Sequence, residues 1–232
     1  MNTRDKVQKI FFEQENNRYT PKLILHPPMH TKFEIELIIK AITNLEKKGL
    51  IVDFAAGTGR VSIPLLQKSF RVLAVDISRS SLRQIRRIAD SLGLKKLRLS
   101  TKIEDSNIKV IVGADALHHV DMDKYLKLFY QVLPEGGKIV FSEPGAWNLL
   151  WYIYLGLFHD WQVEKGMMNC SLFNLQRKLI KYGFNKIKIS GLGLFPRPFF
   201  NWSPFMCRLN DWLGNLPILK LFAYRYIIEA EK

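Results

Sequence analysis

The stretch Ile51-Val52-Asp53-Phe54-Ala55-Ala56-Gly57-Thr58-Gly59-Arg60 decides the fold of this 232-residue chain. A β-branched apolar run ends in an acid and passes into a turn of small residues that feeds a helix. Gly57 and Gly59 can take backbone angles closed to other residues and let the chain approach a ligand closely. Asp53 stands at the strand end, where its carboxylate can accept hydrogen bonds from an ammonium group. A second acid, Asp76, closes the next apolar run (RVLAVD, from Arg71) seventeen residues after Gly59. From there it can take both hydroxyls of a ribose.

Outward from this centre, apolar runs alternate with helical patterns, which predicts βαβ units and a parallel sheet. Strands are expected at Gly49 to Ala55, Arg71 to Asp76, Leu97 to Ser100, Lys109 to Gly113 and Lys138 to Ser142, with two more at Asn185 to Ser190 and Phe222 to Glu229. Helices are expected at Arg60 to Lys68, Arg79 to Leu92 behind a Ser78 cap, from Asp121 to Leu133, and at Ser171 to Tyr182. Before the first strand, His26-Pro27-Pro28 breaks the chain. Thr31 is then placed to cap a helix from Phe33 to about Lys48, with Glu34 at capping-box spacing. Residues 1–30 read as an N-terminal arm or lid, and residues 31–232 as one domain.

Two aromatic-rich segments fall outside the alternation, about residues 146–168 and 194–220, and read as insertions after the fifth and sixth strands. In open α/β sheets ligands bind beyond the carboxyl ends of the strands, so the first insertion is expected to help form a substrate pocket. Its apolar run Gly145 to Phe158 spans roughly 21 Å as a helix, short of the roughly 30 Å hydrocarbon core of a bilayer. The polar N-terminus lacks the apolar core of a signal peptide, and a cytoplasmic location is expected, with peripheral membrane contact left open.

The chain carries 35 Lys+Arg against 21 Asp+Glu, a net charge of +14. Such a field favours anionic partners such as nucleic acid, an anionic membrane surface or phosphorylated molecules, although a solvated basic surface has the same composition. Cys170 and Cys207 lie far apart in no metal-ligand spacing, so neither a disulfide framework nor a metal site is expected.

The combination of VDFAAGTGR with VDIS (Val75 to Ser78), GADALHHV (Gly113 to Val120) and LPEGGKIVFSEP (Leu133 to Pro144) resembles the class I S-adenosylmethionine-dependent methyltransferases, from about residue 30 to the end. The resemblance implies an α/β Rossmann-like sheet of seven strands, mostly parallel with the last antiparallel, and helices on both faces. It implies S-adenosylmethionine as cofactor, with Asp53 and Gly57 at the methionine end, Asp76 on the ribose and Ile77 beside the adenine. Ala55, which replaces the usual first glycine, is assigned with Gly59, Ile103 and Gly113 to the same site. Where family members often place an acid for the adenine amino group, this chain has Thr101 or Lys102, with Glu104 nearby. An NAD-type Rossmann fingerprint would need a third glycine where Ser62 stands.

Methyl transfer from a sulfonium chiefly requires alignment of donor and acceptor. A general base helps if the acceptor is a hydroxyl or an acidic carbon. The candidates are Asp115, His118 and His119, with His119 preferred because related lipid-modifying members place a functional histidine there. His159 and Asp160 form a second pair, and Tyr19 a candidate lid residue. The expected acceptor is a small molecule or lipid-like compound, with the aromatic insertions either roofing its pocket or meeting an anionic membrane. RNA methylation is the alternative raised by the charge, but no Asn/Asp-Pro-Pro-aromatic motif follows the fourth strand. A non-catalytic cofactor-binding accessory protein is a further alternative.

Overall fold

The structure is a computed structural model that describes residues 20–43, 49–104, 107–158 and 164–232. Tyr19, His159 and Asp160 lie outside the described residues. A short helix α1 (Pro21–Leu25) precedes α2 (Met29–Ile42), and the Pro27-Pro28 break separates them. The sheet then begins with β1 (Leu50–Phe54), α3 (Ser62–Gln67), β2 (Arg71–Val75), α4 (Arg79–Ser91), β3 (Leu97–Ser100) and β4 (Ile108–Ala114). A 3-10 turn (Leu117–His119), α5 (Met122–Val132) and β5 (Lys138–Pro144) follow. The remainder is α6 (Leu149–Phe158), a 3-10 turn (Lys165–Asn169), α7 (Leu172–Lys181), β6 (Asn185–Leu192), α8 (Arg197–Phe200), α9 (Pro204–Leu213), a 3-10 turn (Leu219–Phe222) and β7 (Arg225–Glu231).

The seven strands run in the order β3-β2-β1-β4-β5-β7-β6, with β7 antiparallel to both β5 and β6. This is the seven-stranded Rossmann-like sheet with an antiparallel last strand that the resemblance implies. Side chains alternate across the strands. Leu50, Val52 and Phe54 of β1 pack under α5 and α7, with Met122, Leu126, Phe129, Leu175 and Leu179. Ile51 faces the other layer, where α2, α3 and α4 contribute Ile38, Ile63, Leu65, Leu82 and Ile85. On β4 the register to β1 shifts between Leu50↔Ile108 and Ile51↔Val110. The extra residue, Lys109, restores the alternation, so Ile108 and Ile111 join one layer while Val110 and Val112 join the other.

Side-chain caps at Ser78, Asp121 and Ser171 hold the starts of α4, α5 and α7, where the sequence places them. Thr31 does not act as a cap. Its helix begins at Met29 behind Pro28, whose fixed φ starts the helix three residues earlier than a Thr31 cap would. The last strand begins at Arg225 rather than Phe222, because residues 219–222 turn as a 3-10 helix before joining the sheet. Arg60 and Val61 remain in the turn ahead of α3. The proposed arm boundary at residue 30 falls within α2, and Ile24 of α1 is already part of the core. Both aromatic segments are insertions, one between β5 and α7 and the other between β6 and β7.

Candidate functional site

The strand order reverses between β1 and β4, the position at which doubly wound sheets open a crevice beyond their carboxyl ends. A cavity of about 850 Å³ lies there. Its walls include the loops after β1, β2 and β4 at one end, and Trp151, Glu164, Met167, Arg197 and Tyr224 from the insertions at the other.

At the first end, the turn Ala55 to Gly59 is held in left-handed backbone at three positions: Ala55 (φ 54°), Gly57 (φ 51°) and Gly59 (φ 100°). Alanine at the first of these costs about 1–2 kcal/mol that glycine would avoid. Asp76 stabilises the turn directly. Its Oδ2 accepts from Gly57 N at 2.7 Å and its Oδ1 from Ser78 N at 2.8 Å. A carboxylate offers about four lone-pair positions, so both oxygens retain acceptor capacity toward the cavity. Asp53 is almost fully buried and accepts from Ser62 Oγ at 2.6 Å. Burial pushes its pKa up to about 7, against the opposing Ser62 hydrogen bond. An ammonium group at this end would return the carboxyl to its ionised form.

Asp53, Ala55, Gly57, Asp76, Ile77 and Ile103 all line the cavity, as do Thr101, Lys102 and Glu104. Gly59 and Gly113 do not. A side chain at Gly59 would meet Ile85 and Ile63, and one at Gly113 would collide with Phe141 at 2.6 Å, so both serve close packing behind the site. These residues suit a nucleoside bearing a charged amino acid: paired acceptors for vicinal hydroxyls, a buried acid for an amine, and an apolar wall for a base.

At the middle of the cavity, Asp115 sits between two guanidinium groups, 2.7 Å from Arg60 Nη2 and 2.7 Å from Arg225 Nη2. Arg225 also reaches Glu34 at 3.3 Å. Burial alone would raise the Asp115 pKa, but Arg225 and Arg60 outweigh it and hold the carboxyl well below its usual range. On the α2 side, burial and Arg197 depress His30 to about 4, which keeps it neutral.

The 3-10 turn after β4 is organised by Glu143 at the end of β5. One carboxylate oxygen accepts from Ala116 N and Leu117 N at 2.9 and 2.8 Å, and the other accepts from His118 N and from His118 Nδ1 at 3.3 and 2.7 Å. The second ring nitrogen of His118, Nε2, lies 3.3 Å from Glu164 in the first insertion. Burial would lower the His118 pKa, yet its two carboxylate partners raise it to about 10. The His119 ring packs against His118 with centroids 3.9 Å apart and planes tilted by 43°, and it also lines the cavity.

The structure thus brings Asp115, His118 and His119 to one cavity with the cofactor candidates. Arg60, Arg225, Glu143 and Glu164 were not singled out as site residues from the sequence, and Glu34 was read only as a capping residue. Glu143 carried a signal, as an acid ending a β-branched strand much as Asp53 does. Arg225 and Glu164 carried none, since their partners are more than 45 residues away.

The sequence profile of the family described as "Methyltransferase domain" matches residues 51–137. The chain is 30% identical over 115 residues to the Bacillus subtilis (strain 168) protein called "Putative methyltransferase YqeM", a match covering 46% of this chain and 47% of that protein. It therefore spans about half the length of that curated relative. Among solved structures, it is similar to phosphoethanolamine N-methyltransferase 2 of Haemonchus contortus in complex with phosphomonomethylethanolamine and S-adenosylhomocysteine. The TM-score is 0.66 at 15% identity, over 97% of this chain and 60% of that one. It is also similar to geranyl diphosphate C-methyltransferase of Streptomyces coelicolor A3(2), at TM-score 0.68 and 12% identity over 99% and 98% of the two chains. Profile and fold agree: residues 51–137 are similar to the methyltransferase-domain family, and the strand order is the Rossmann-like order of the methyltransferase structures this chain resembles.

Proposed function

We propose that this chain transfers a methyl group from S-adenosylmethionine to a small-molecule or lipid-like acceptor held between the turn after β4 and the two insertions. The observation that carries the reading is the single cavity that joins Asp53 and Asp76 to His119, Trp151 and Tyr224. S-adenosylmethionine supplies, when bound, a methyl group on a cationic sulfur that is already a good leaving group. Asp76 holds the ribose hydroxyls, Asp53 the ammonium group, and Ile77 and Ile103 flank the base. Ala55 and Gly57 let the backbone approach, while Gly59 and Gly113 support these residues from behind.

Of the three catalytic candidates, Asp115 is an anion clamped by two arginines and His118 a cation clamped by two carboxylates. Neither is placed to take a proton near neutral pH, so both position the turn. His119 is the member we assign to the acceptor. Trp151 stacks on Tyr224 with ring centroids 4.4 Å apart, and its Nε1 donates to the Tyr224 carbonyl. This pair walls the acceptor end with flat apolar surface. The arm ahead of α1, including Tyr19, is assigned as a lid.

Exposed aromatic residues favour peripheral membrane contact as an added feature. Trp202 and Phe205 are 77% and 71% exposed, in a segment (residues 194–224) that also carries Arg208 and Lys220, while its third base, Arg197, is buried and paired with Asp211. Among the described residues no helix is long and apolar enough to cross a membrane. Aromatic and basic side chains together suit the headgroup region.

Calorimetric titration with S-adenosylmethionine, S-adenosylhomocysteine and NADH tests the reading. Binding of the two sulfur nucleosides alone, followed by labelled-methyl transfer to small or lipid acceptors, is the expected result. Transfer to RNA instead would move the acceptor to the basic face of α4. Binding with no transfer to any acceptor would favour an accessory role.

A further inference from the structure

The turn after β4 and the first insertion meet in a cluster that methyl transfer as such does not require. One ligand atom from each of His118, His119 and Glu164 can be chosen so that all three lie within 4.8 Å of one another. We propose that these three side chains bind a divalent cation of the zinc, cobalt or manganese type, with its remaining coordination position open to the acceptor end of the cavity.

Three observations carry this. The first is spacing. His118 Nε2 and Glu164 Oε2 are 3.3 Å apart. Two ligands of a tetrahedral ion bound at about 2.1 Å are separated by about 3.4 Å, so the cation needs little rearrangement of this pair. The second is the partner behind the ligand. Metal-binding histidines commonly donate their other ring N–H to a carboxylate, which fixes the tautomer and aims the free nitrogen. Glu143 does this for His118 Nδ1 at 2.7 Å, and it is itself held by three backbone N–H groups. The third is charge. Glu143 and Glu164 bring two negative charges to a region where His118 is 2% and Glu164 12% exposed. A divalent cation that takes the place of the Nε2 proton, which leaves to solvent, neutralises both carboxylates with neutral imidazole ligands.

Two imidazoles and one carboxylate are borderline donors, suited to zinc and its neighbours rather than to calcium. Three protein ligands with an open position form the arrangement of a working site rather than a closed structural one. His119 and Glu164 both line the cavity, so an acceptor oxygen or nitrogen can complete the coordination. That use of the ion rests on the methyl-transfer reading, whereas the metal site stands apart from it.

The test uses untagged full-length protein, freed of metal by chelation and titrated with Co2+ by calorimetry and visible absorption. One equivalent with a ligand-field band that Zn2+ displaces is expected. Glu164→Gln should weaken Co2+ binding at least tenfold while S-adenosylhomocysteine affinity stays within twofold. His119→Gln should do the same and serves if Glu164→Gln does not fold. No stoichiometric Co2+ binding by the wild type overturns the site, as does wild-type Co2+ affinity in both variants. If Co2+ binds as expected but S-adenosylhomocysteine does not, the metal site survives and the methyl-transfer reading fails.

Discussion

The two ends of the cavity are built in different ways. At the cofactor end, the interacting groups are near in sequence. Asp76 meets Gly57 nineteen residues away, and Asp53 meets Ser62 nine residues away. These contacts follow once β1 and β2 pair in parallel, from Leu50↔Arg71 to Phe54↔Val75. Beyond that end the partners are distant: Arg225 meets Asp115 across 110 residues at the middle of the cavity, and at the acceptor end Trp151 meets Tyr224 across 73 and His118 meets Glu164 from a separate insertion. The first end is thus a property of two adjacent βα units. The second exists only when β7 and both insertions are in place, which makes it the end where related chains on one scaffold can differ in acceptor.

The largest expected effect probes the cofactor end. Asp53 has a folded pKa raised from 3.8 to about 7, so its contribution to stability is full below 3.8 and is lost as pH rises through about 7; the shift corresponds to about 4 kcal/mol. Asp53→Asn should remove this slope. Denaturant unfolding of both proteins between pH 4 and 8 measures it, and parallel curves would show that Asp53 is not buried as described.

Arg225→Met probes the middle of the cavity. It leaves the buried Glu34 without Arg225 and Asp115 with Arg60 alone, and a loss of about 3 kcal/mol in unfolding free energy is expected. A change under about 1 kcal/mol would mean that cavity water replaces the guanidinium, and that this region is less dependent on β7 than the comparison implies.

Asp76→Ala should weaken S-adenosylhomocysteine binding by about 2 kcal/mol in calorimetry, through lost hydroxyl contacts and a loosened Gly57 turn. Equal affinity would remove Asp76 from the site. The smallest effect is expected at the exposed aromatic residues. Trp202→Ser with Phe205→Ser should change stability by less than about 0.5 kcal/mol while reducing co-sedimentation with anionic vesicles. Unchanged co-sedimentation would leave the insertion as a pocket roof only.

Much of the fold was legible. Strands with β-branched runs and helices with Ser78, Asp121 or Ser171 caps lie within a few residues of their expected bounds, because caps and periodicity act over one or two turns. Thr31 misled because its capping-box spacing is also compatible with an interior position once Pro28 starts the helix earlier. Phe222 misled because an apolar run does not distinguish a 3-10 turn from a strand. At the site, strand ends and spacing singled out Asp53, Gly57 and Asp76, and all three line the cavity. Glu34, Arg225 and Glu164 could not be read in this way, since an isolated acid or base carries no sign of a distant partner.

From the sequence alone came the parallel βαβ core, the cofactor turn and the position of the two histidines after β4, all governed by contacts between near neighbours along the chain. Tertiary structure alone decided that Asp115 is clamped between Arg60 and Arg225, that His118 lies between Glu143 and Glu164, and that the insertions close the far end of the cavity. Those pairings depend on which elements the sheet order makes neighbours and on how deeply charges are buried, and both are set only when the whole chain has packed.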